Sequence, residues 1–197
     1  MLPSRERFQP ALAKFGIELI TPEVNERLEA EEILRHAGKF DGAICGDDRF
    51  TADVLRACSP RLKVISKWGT GIDSIDQVAA KELGISVRNT PDAFTDAVAD
   101  SVMAYILSFA RQTPWLDAAV KGGDWRKLPG RSLSETTLGI IGVGCIGKAV
   151  ARRAHAFGMR ILGNDVVEMP AEFLIELGIE MVNLDKLLAE ADFVSLN

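Results

Sequence analysis

The residues best equipped for chemistry are Gly142-Val143-Gly144-Cys145-Ile146-Gly147. They form a GxGxxG run between a strand-like segment, Thr137 to Gly142, and a helix-like segment, Ile146 to Phe157. An acidic residue, Asp165, lies after the next strand-like segment, 18 positions past Gly147. A lone GxGxxG is a weak signal, but this setting completes the dinucleotide fingerprint. Gly142 permits the tight turn. Gly144 lets backbone approach a pyrophosphate, and Gly147 lets helix pack on strand. Backbone N–H groups of Cys145 and Ile146 face the phosphates at the positive end of the helix. Asp165 accepts hydrogen bonds from the adenosine ribose hydroxyls. Its charge repels a 2′-phosphate, and no Arg occurs in Val166-Val167-Glu168, so NAD is expected rather than NADP. Cys145 acts through its backbone, since no His is near it in sequence.

A second glycine turn is Lys67-Trp68-Gly69-Thr70-Gly71-Ile72-Asp73. It also follows a strand-like segment, and exposed N–H groups there could hold an anion such as a carboxylate. A plain strand-to-helix turn explains the same residues equally well, so the two readings stay open on physics alone. The two histidines, His36 and His155, lie on charged helix-like stretches and read as solvated or packing residues. The three cysteines, Cys45, Cys58 and Cys145, show no CxxC spacing. No metal site and no disulfide scaffold are expected, and a cytoplasmic setting suits them.

These motifs need elements to position them. Strand-like segments are expected at Gly16–Ile20, Asp41–Cys45, Leu62–Ser66, Ile85–Arg88, Thr137–Gly142, Met159–Gly163 and Ala191–Leu196. Helix-like segments alternate with them at Leu28–His36, Thr51–Cys58, Ile75–Leu83 (capped by Ser74), Thr95–Arg111, Pro114–Lys121, Ile146–Phe157, Ala171–Leu177 and Leu184–Glu190. The rhythm implies an α/β fold of two Rossmann-like or flavodoxin-like lobes with parallel sheets. Residues 1–94 form the first lobe and residues 95–197 the second. Met1-Leu2-Pro3-Ser4-Arg5 reads as the loop after a missing first strand, and the second lobe reads as the N-terminal half of its domain. The net charge of −5 argues against a broad nucleic-acid surface. The most apolar run, Val98 to Ala110, carries Asp100 and is too short to span a bilayer. Arg5, Glu6 and Arg7 are not followed by the apolar segment of a signal peptide.

Lys67 to Asp73, Asn89-Thr90-Pro91, Ala97-Val98-Ala99-Asp100, the Gly142–Gly147 loop with Asp165, and Ala191 to Leu196 occur in one order and spacing. In this the chain resembles the D-isomer-specific 2-hydroxyacid dehydrogenases, of the phosphoglycerate dehydrogenase type. The resemblance covers nearly the whole chain and implies a truncation at both ends. It implies a substrate lobe, an NAD lobe, a cleft between them, and a homodimer when complete. It assigns the amides around Gly69, Thr70 and Gly71 to the substrate carboxylate, with Thr70 also near the nicotinamide. It places an acidic residue at Asp100, expected to be buried between the lobes and structural. The catalytic Arg, acidic residue and His of the family have no counterpart here, so no catalytic residue is expected within the chain. The implied reaction moves a hydride between NAD(H) and a small 2-hydroxy or 2-keto acid. Phosphoglycerate enzymes tend to carry an Arg just after the strand that ends at Cys45; Gly46 stands there, followed by Asp47 and Asp48, whose carboxylates disfavour a phosphate, with Arg49 and Lys67 as possible substitutes. Hydroxypyruvate and glyoxylate therefore compete with 3-phosphoglycerate as substrate. The alternative is an inactive NAD-binding remnant or an NAD-responsive interaction module.

Overall fold

The computed structural model describes residues 5–197, and the expected loop at Met1–Arg5 falls almost wholly outside them. The chain forms two compact units, Met1–Thr90 and Pro91–Asn197.

The first unit contains α1 (Arg5–Ala13), α2 (Ala30–Leu34), β1 (Gly42–Cys45), α3 (Ala52–Cys58), β2 (Val64–Lys67), α4 (Gln77–Glu82) and β3 (Ser86–Arg88). Its sheet is parallel, in the order β1-β2-β3. Thr51 starts α3 by accepting a hydrogen bond from the Val54 amide, a cap worth about 1 kcal/mol. Val54, Leu55 and Cys58 pack from α3 onto Ile65 of β2 and Ala79 and Ala80 of α4. Two expectations change here. Gly16–Ile20 is irregular rather than a strand; Gly16 sits at φ +67, closing the turn after α1, and the segment pairs with no sheet among the described residues. The cap of α4 is Asp76, whose carboxylate accepts from the Ala79 amide at 2.9 Å. Ser74 stands two residues earlier, and its hydroxyl is buried without a partner among the described residues. A carboxylate is the stronger acceptor at a helix N-terminus, and it wins the position.

The second unit contains α5 (Thr95–Arg111), α6 (Thr113–Lys121), a 3₁₀ turn (Leu133–Glu135), β4 (Thr137–Ile141), α7 (Cys145–Ala156), β5 (Arg160–Asn164), α8 (Ala171–Leu177), β6 (Ile179–Met181), α9 (Leu184–Glu190) and β7 (Phe193–Leu196). All pairings are parallel, and the strand order is β6-β5-β4-β7. The short strand β6 is absent from the sequence expectations. Its three residues follow Gly178 too closely for a period-two pattern to show.

Side chains alternate across β4. Leu138 and Ile140 join one core with Val150, Ala151 and Ala154 of α7 and Ala99, Met103 and Ile106 of α5. Gly139 faces the other way, where Leu187 of α9 lies so close that a Cβ would come within 2.5 Å of it. Helices thus cover both faces of this sheet, as two-sided burial of a parallel sheet requires. Asp100 departs from its expected burial. Its side chain is 69% exposed and pairs with Arg153 Nε at 2.7 Å. It sits one position past the core-facing Ala99, which turns it about 100° off the buried stripe.

Candidate nucleotide site and a second glycine turn

β4 is the first strand of its sheet, and it has β5 on one side and β7 on the other. The chain runs from β4 to β5 and β6 on one side and then returns to lay β7 on the other; the crevice at such a switch point is where α/β sheets bind ligands. Gly142 occupies that point. Its φ of +84 is closed to ordinary side chains, and a Cβ would lie 2.6 Å from the Asn197 carbonyl oxygen. Gly147 sits in the first turn of α7, where a Cβ would lie 2.1 Å from the Gly142 carbonyl oxygen. Only hydrogen fits, and the helix start closes onto the strand end.

Gly144 differs from both. A Cβ there would meet nothing within 4 Å, so its missing side chain leaves open space at the mouth of the loop. No side chain caps α7. The first-turn amides, including those of Cys145 and Ile146, have no carbonyl four residues back to receive them. Open space, uncapped amides and the positive end of a 12-residue helix are what a pyrophosphate needs. The residues present fit a dinucleotide.

Asp165 follows β5 directly. Its Oδ2 accepts from the Val143 amide at 2.6 Å and its Oδ1 from the Val167 amide at 2.9 Å. The Val167 amide first, then that of Val143, hold its carboxyl below the usual carboxylate range. The group is ionised and fixed at the edge of the loop. Each oxygen keeps lone pairs for a ribose hydroxyl, and the charge opposes a 2′-phosphate. From the sequence Asp165 is expected to serve the ribose alone; the fold adds the tie to Val143. Spacing places Asp165 near the loop but does not show that the loop itself leans on it.

Cys145 is exposed at the start of α7. Asp92 pushes its thiol up, first by a hydrogen bond and then by its charge. A raised thiol is a poor nucleophile. His155 lies at the far end of α7 from the glycine loop, with Nδ1 3.1 Å from the Leu177 carbonyl oxygen. His36 follows α2 in the first unit.

The second glycine turn follows β2 in the first unit. Gly69 has φ +153, and a Cβ would come 3.3 Å from Lys67 Cε. Its N–H donates to Thr90 Oγ1 at 3.0 Å, and its carbonyl accepts from the Thr90 amide at 3.0 Å. Asn89 Nδ2 donates to the Thr70 carbonyl at 2.7 Å. The Gly69 amide is therefore spent inside the turn. The amides of Thr70 and Gly71 donate to no other described residue. The Asn89-Thr90 pair, which in the sequence stands only as part of a motif, holds the turn in shape.

Fold and glycine loop together define a dinucleotide-binding α/β protein. Residues 103–197 match the family model described as D-isomer specific 2-hydroxyacid dehydrogenase, NAD binding domain. A hydroxypyruvate reductase of Thermotoga maritima is 40% identical over 176 residues, covering 88% of this chain and 56% of that protein. A D-3-phosphoglycerate dehydrogenase of Methanocaldococcus jannaschii is 39% identical over 179 residues, covering 89% of this chain and 34% of that one. The crystal structure of D-lactate dehydrogenase from Aquifex aeolicus, complexed with NAD and lactic acid, superposes with a TM-score of 0.83. It is 29% identical, with 99% of this chain and 57% of that one covered. The chain carries, in residues 103–197, the NAD binding domain of the D-isomer-specific 2-hydroxyacid dehydrogenase family, with NAD as the cofactor of its second unit. It spans about half the length, or less, of the curated relatives it matches. Among the described residues, no helix is long and apolar enough to cross a membrane.

Proposed function

We propose that the protein moves a hydride between NAD and C2 of a small D-2-hydroxy or 2-keto acid, such as glyoxylate, hydroxypyruvate or 3-phosphoglycerate. The observation that carries this is the glycine loop at the end of β4, open at Gly144 and edged by the ionised Asp165. NAD, when bound, accepts or supplies the hydride. The amides of Cys145 and Ile146 receive its pyrophosphate, and Asp165 receives the adenosine ribose. In the first unit, the amides of Thr70 and Gly71 receive the acid's carboxylate. Asn89 and Thr90 keep them aimed by holding the carbonyl and amide groups beside them. Residues up to Thr90 then serve as the substrate unit and the remainder as the nucleotide unit.

The test is an NADH titration followed by tryptophan fluorescence, with turnover read as loss of NADH absorbance across a panel of 2-keto acids. Glyoxylate or hydroxypyruvate should consume NADH. Asp165→Ala should weaken NADH about tenfold, the value of a charged hydrogen bond, and should narrow the gap to NADPH. NADH binding that Asp165→Ala leaves unchanged removes the nucleotide assignment. NADH binding with no turnover of any acid replaces the dehydrogenase by a nucleotide-responsive module.

A further inference from the structure

Lys67 ends β2, in register with Cys45 at the end of β1. Its side chain is 4% exposed, and it is the only charged residue among the described ones that is buried. The ammonium donates to the Gly46 carbonyl at 2.6 Å and to Asp47 Oδ1 at 2.5 Å. Its stem runs beneath Gly69, where a Cβ would lie 3.3 Å from Cε. One buried cation thus joins the loop after β1 to the turn carrying the Thr70 and Gly71 amides. Both lie at the C-terminal edge of a parallel sheet, where such sheets bind ligands.

Asp47 is the exposed half of this pair, with 81% of its side chain in water. Lys67 holds its carboxyl below the usual carboxylate range, through the hydrogen bond first, and Arg27 and Arg49 add to this at longer range. Arg27 itself pairs with Glu29 at 2.6 Å. The neighbouring Asp48 is fixed as well, accepting from the Gly46 amide at 2.8 Å and the Leu28 amide at 2.6 Å. The loop therefore offers an incoming anion two carboxylates and a lysine already satisfied.

We propose that Asp47 is the resident counter-ion of Lys67 and that this pair sets the charge the substrate site accepts. A short acid with a single carboxylate is taken, and an acid carrying a second anionic group, such as a phosphoryl, is turned away. The inference rests on the carboxylate reading of Thr70 and Gly71. It divides the relatives' substrates along the line that separates a hydroxypyruvate reductase from a phosphoglycerate dehydrogenase.

The experiment compares D-glycerate with 3-phospho-D-glycerate, the same acid with and without the phosphoryl. Each is titrated by calorimetry into NADH-saturated protein, where neither reacts. Wild type should bind glycerate more tightly. Asp47→Asn, on an exposed side chain, should tighten phosphoglycerate on the order of tenfold and leave glycerate unchanged. In a Lys67→Met background, the same Asp47→Asn change should gain less, because no cation is then released. Wild type that prefers phosphoglycerate, with Arg49 as the cation still to hand, overturns the proposal. So does an Asp47→Asn protein whose ratio of affinities does not move while glycerate binding persists. If the protein binds NADH but neither acid, the carboxylate reading itself falls and takes this inference with it.

Discussion

The two glycine turns of this chain sit at equivalent places, each at the C-terminal end of a parallel strand, yet they are held by different means. The loop after β4 leads within three residues into α7, a helix of 12 residues. Its shape comes from that helix start, from Gly142 and Gly147, and from one carboxylate. The turn after β2 has no helix to lean on at once; α4 begins at Gln77 and is only 6 residues long. Its shape comes from Asn89 and Thr90 after β3, and from Lys67 beneath it. The first turn is built mainly from neighbours in sequence, with a single tie to a carboxylate 22 positions away. The second is built from residues about 20 positions apart. A helix N-terminus supplies its donors without further help, whereas a turn without one must borrow its order from other loops.

The sharpest way to break this contrast is at Gly147. Valine there would set a Cβ 2.1 Å from the Gly142 carbonyl oxygen, so backbone must move. NADH affinity should fall by about a hundredfold, in line with an overpacking cost of up to 3 kcal/mol. The companion variant is Gly144→Ala, whose new methyl meets nothing within 4 Å. It should leave the melting temperature unchanged and still weaken NADH, because it fills the space the pyrophosphate needs. A Gly147→Val protein that binds NADH like wild type would show that the close approach is not what shapes the loop.

That difference also decides how much could be read from the residues alone. The glycine loop, Asp165, and the bounds of α5, α8 and α9 were legible, because each rests on local signals: a 3.6-residue period, a cap, or a glycine stop. Thr51 was legible as a cap for the same reason. The Thr90 bond to Gly69, the Lys67 link to Asp47 and the Val143 bond to Asp165 were not. Each joins residues that only the folded sheet brings together, and no spacing rule encodes them. Gly16–Ile20 misleads because Ile17 and Leu19 flank Glu18 in a strand-like alternation, while strand formation requires a partner edge that the segment does not meet among the described residues. Asp76 is hidden in the sequence because Ser74, two residues earlier, is an equally favoured cap type.

A middle-sized effect separates the two turns in function. Thr90→Val keeps the shape of the side chain and removes the acceptor of the Gly69 amide. A lost hydrogen bond of about 1 kcal/mol should raise the KM for the acid about fivefold, while the dissociation constant for NADH stays put. If both constants rise together, the turns do not act as separately built sites, and the contrast drawn above fails.

The smallest effect lies at the opposite end of the second sheet. Asp192 precedes β7, and its Oδ2 accepts from the Thr137 amide at 2.9 Å while its Oδ1 pairs with Arg131 at 2.6 Å. The Thr137 amide first, and then Arg131, lower its carboxyl below the ordinary value of 3.8. A carboxyl lowered in the folded state adds stability that is fully present above its unfolded value. That stability is lost as pH falls through the lower folded value. Asp192→Asn should therefore reduce the melting temperature slightly at neutral pH and flatten its decline below about pH 4. Because β7 pairs with β4 and ends beside Gly142, the variant also asks whether this staple steadies the nucleotide loop from below. An NADH affinity that follows the melting temperature as pH is lowered in wild type, but not in Asp192→Asn, would tie the two. An affinity that ignores the substitution at every pH would confine the shaping of the loop to α7, its two tight glycines and Asp165.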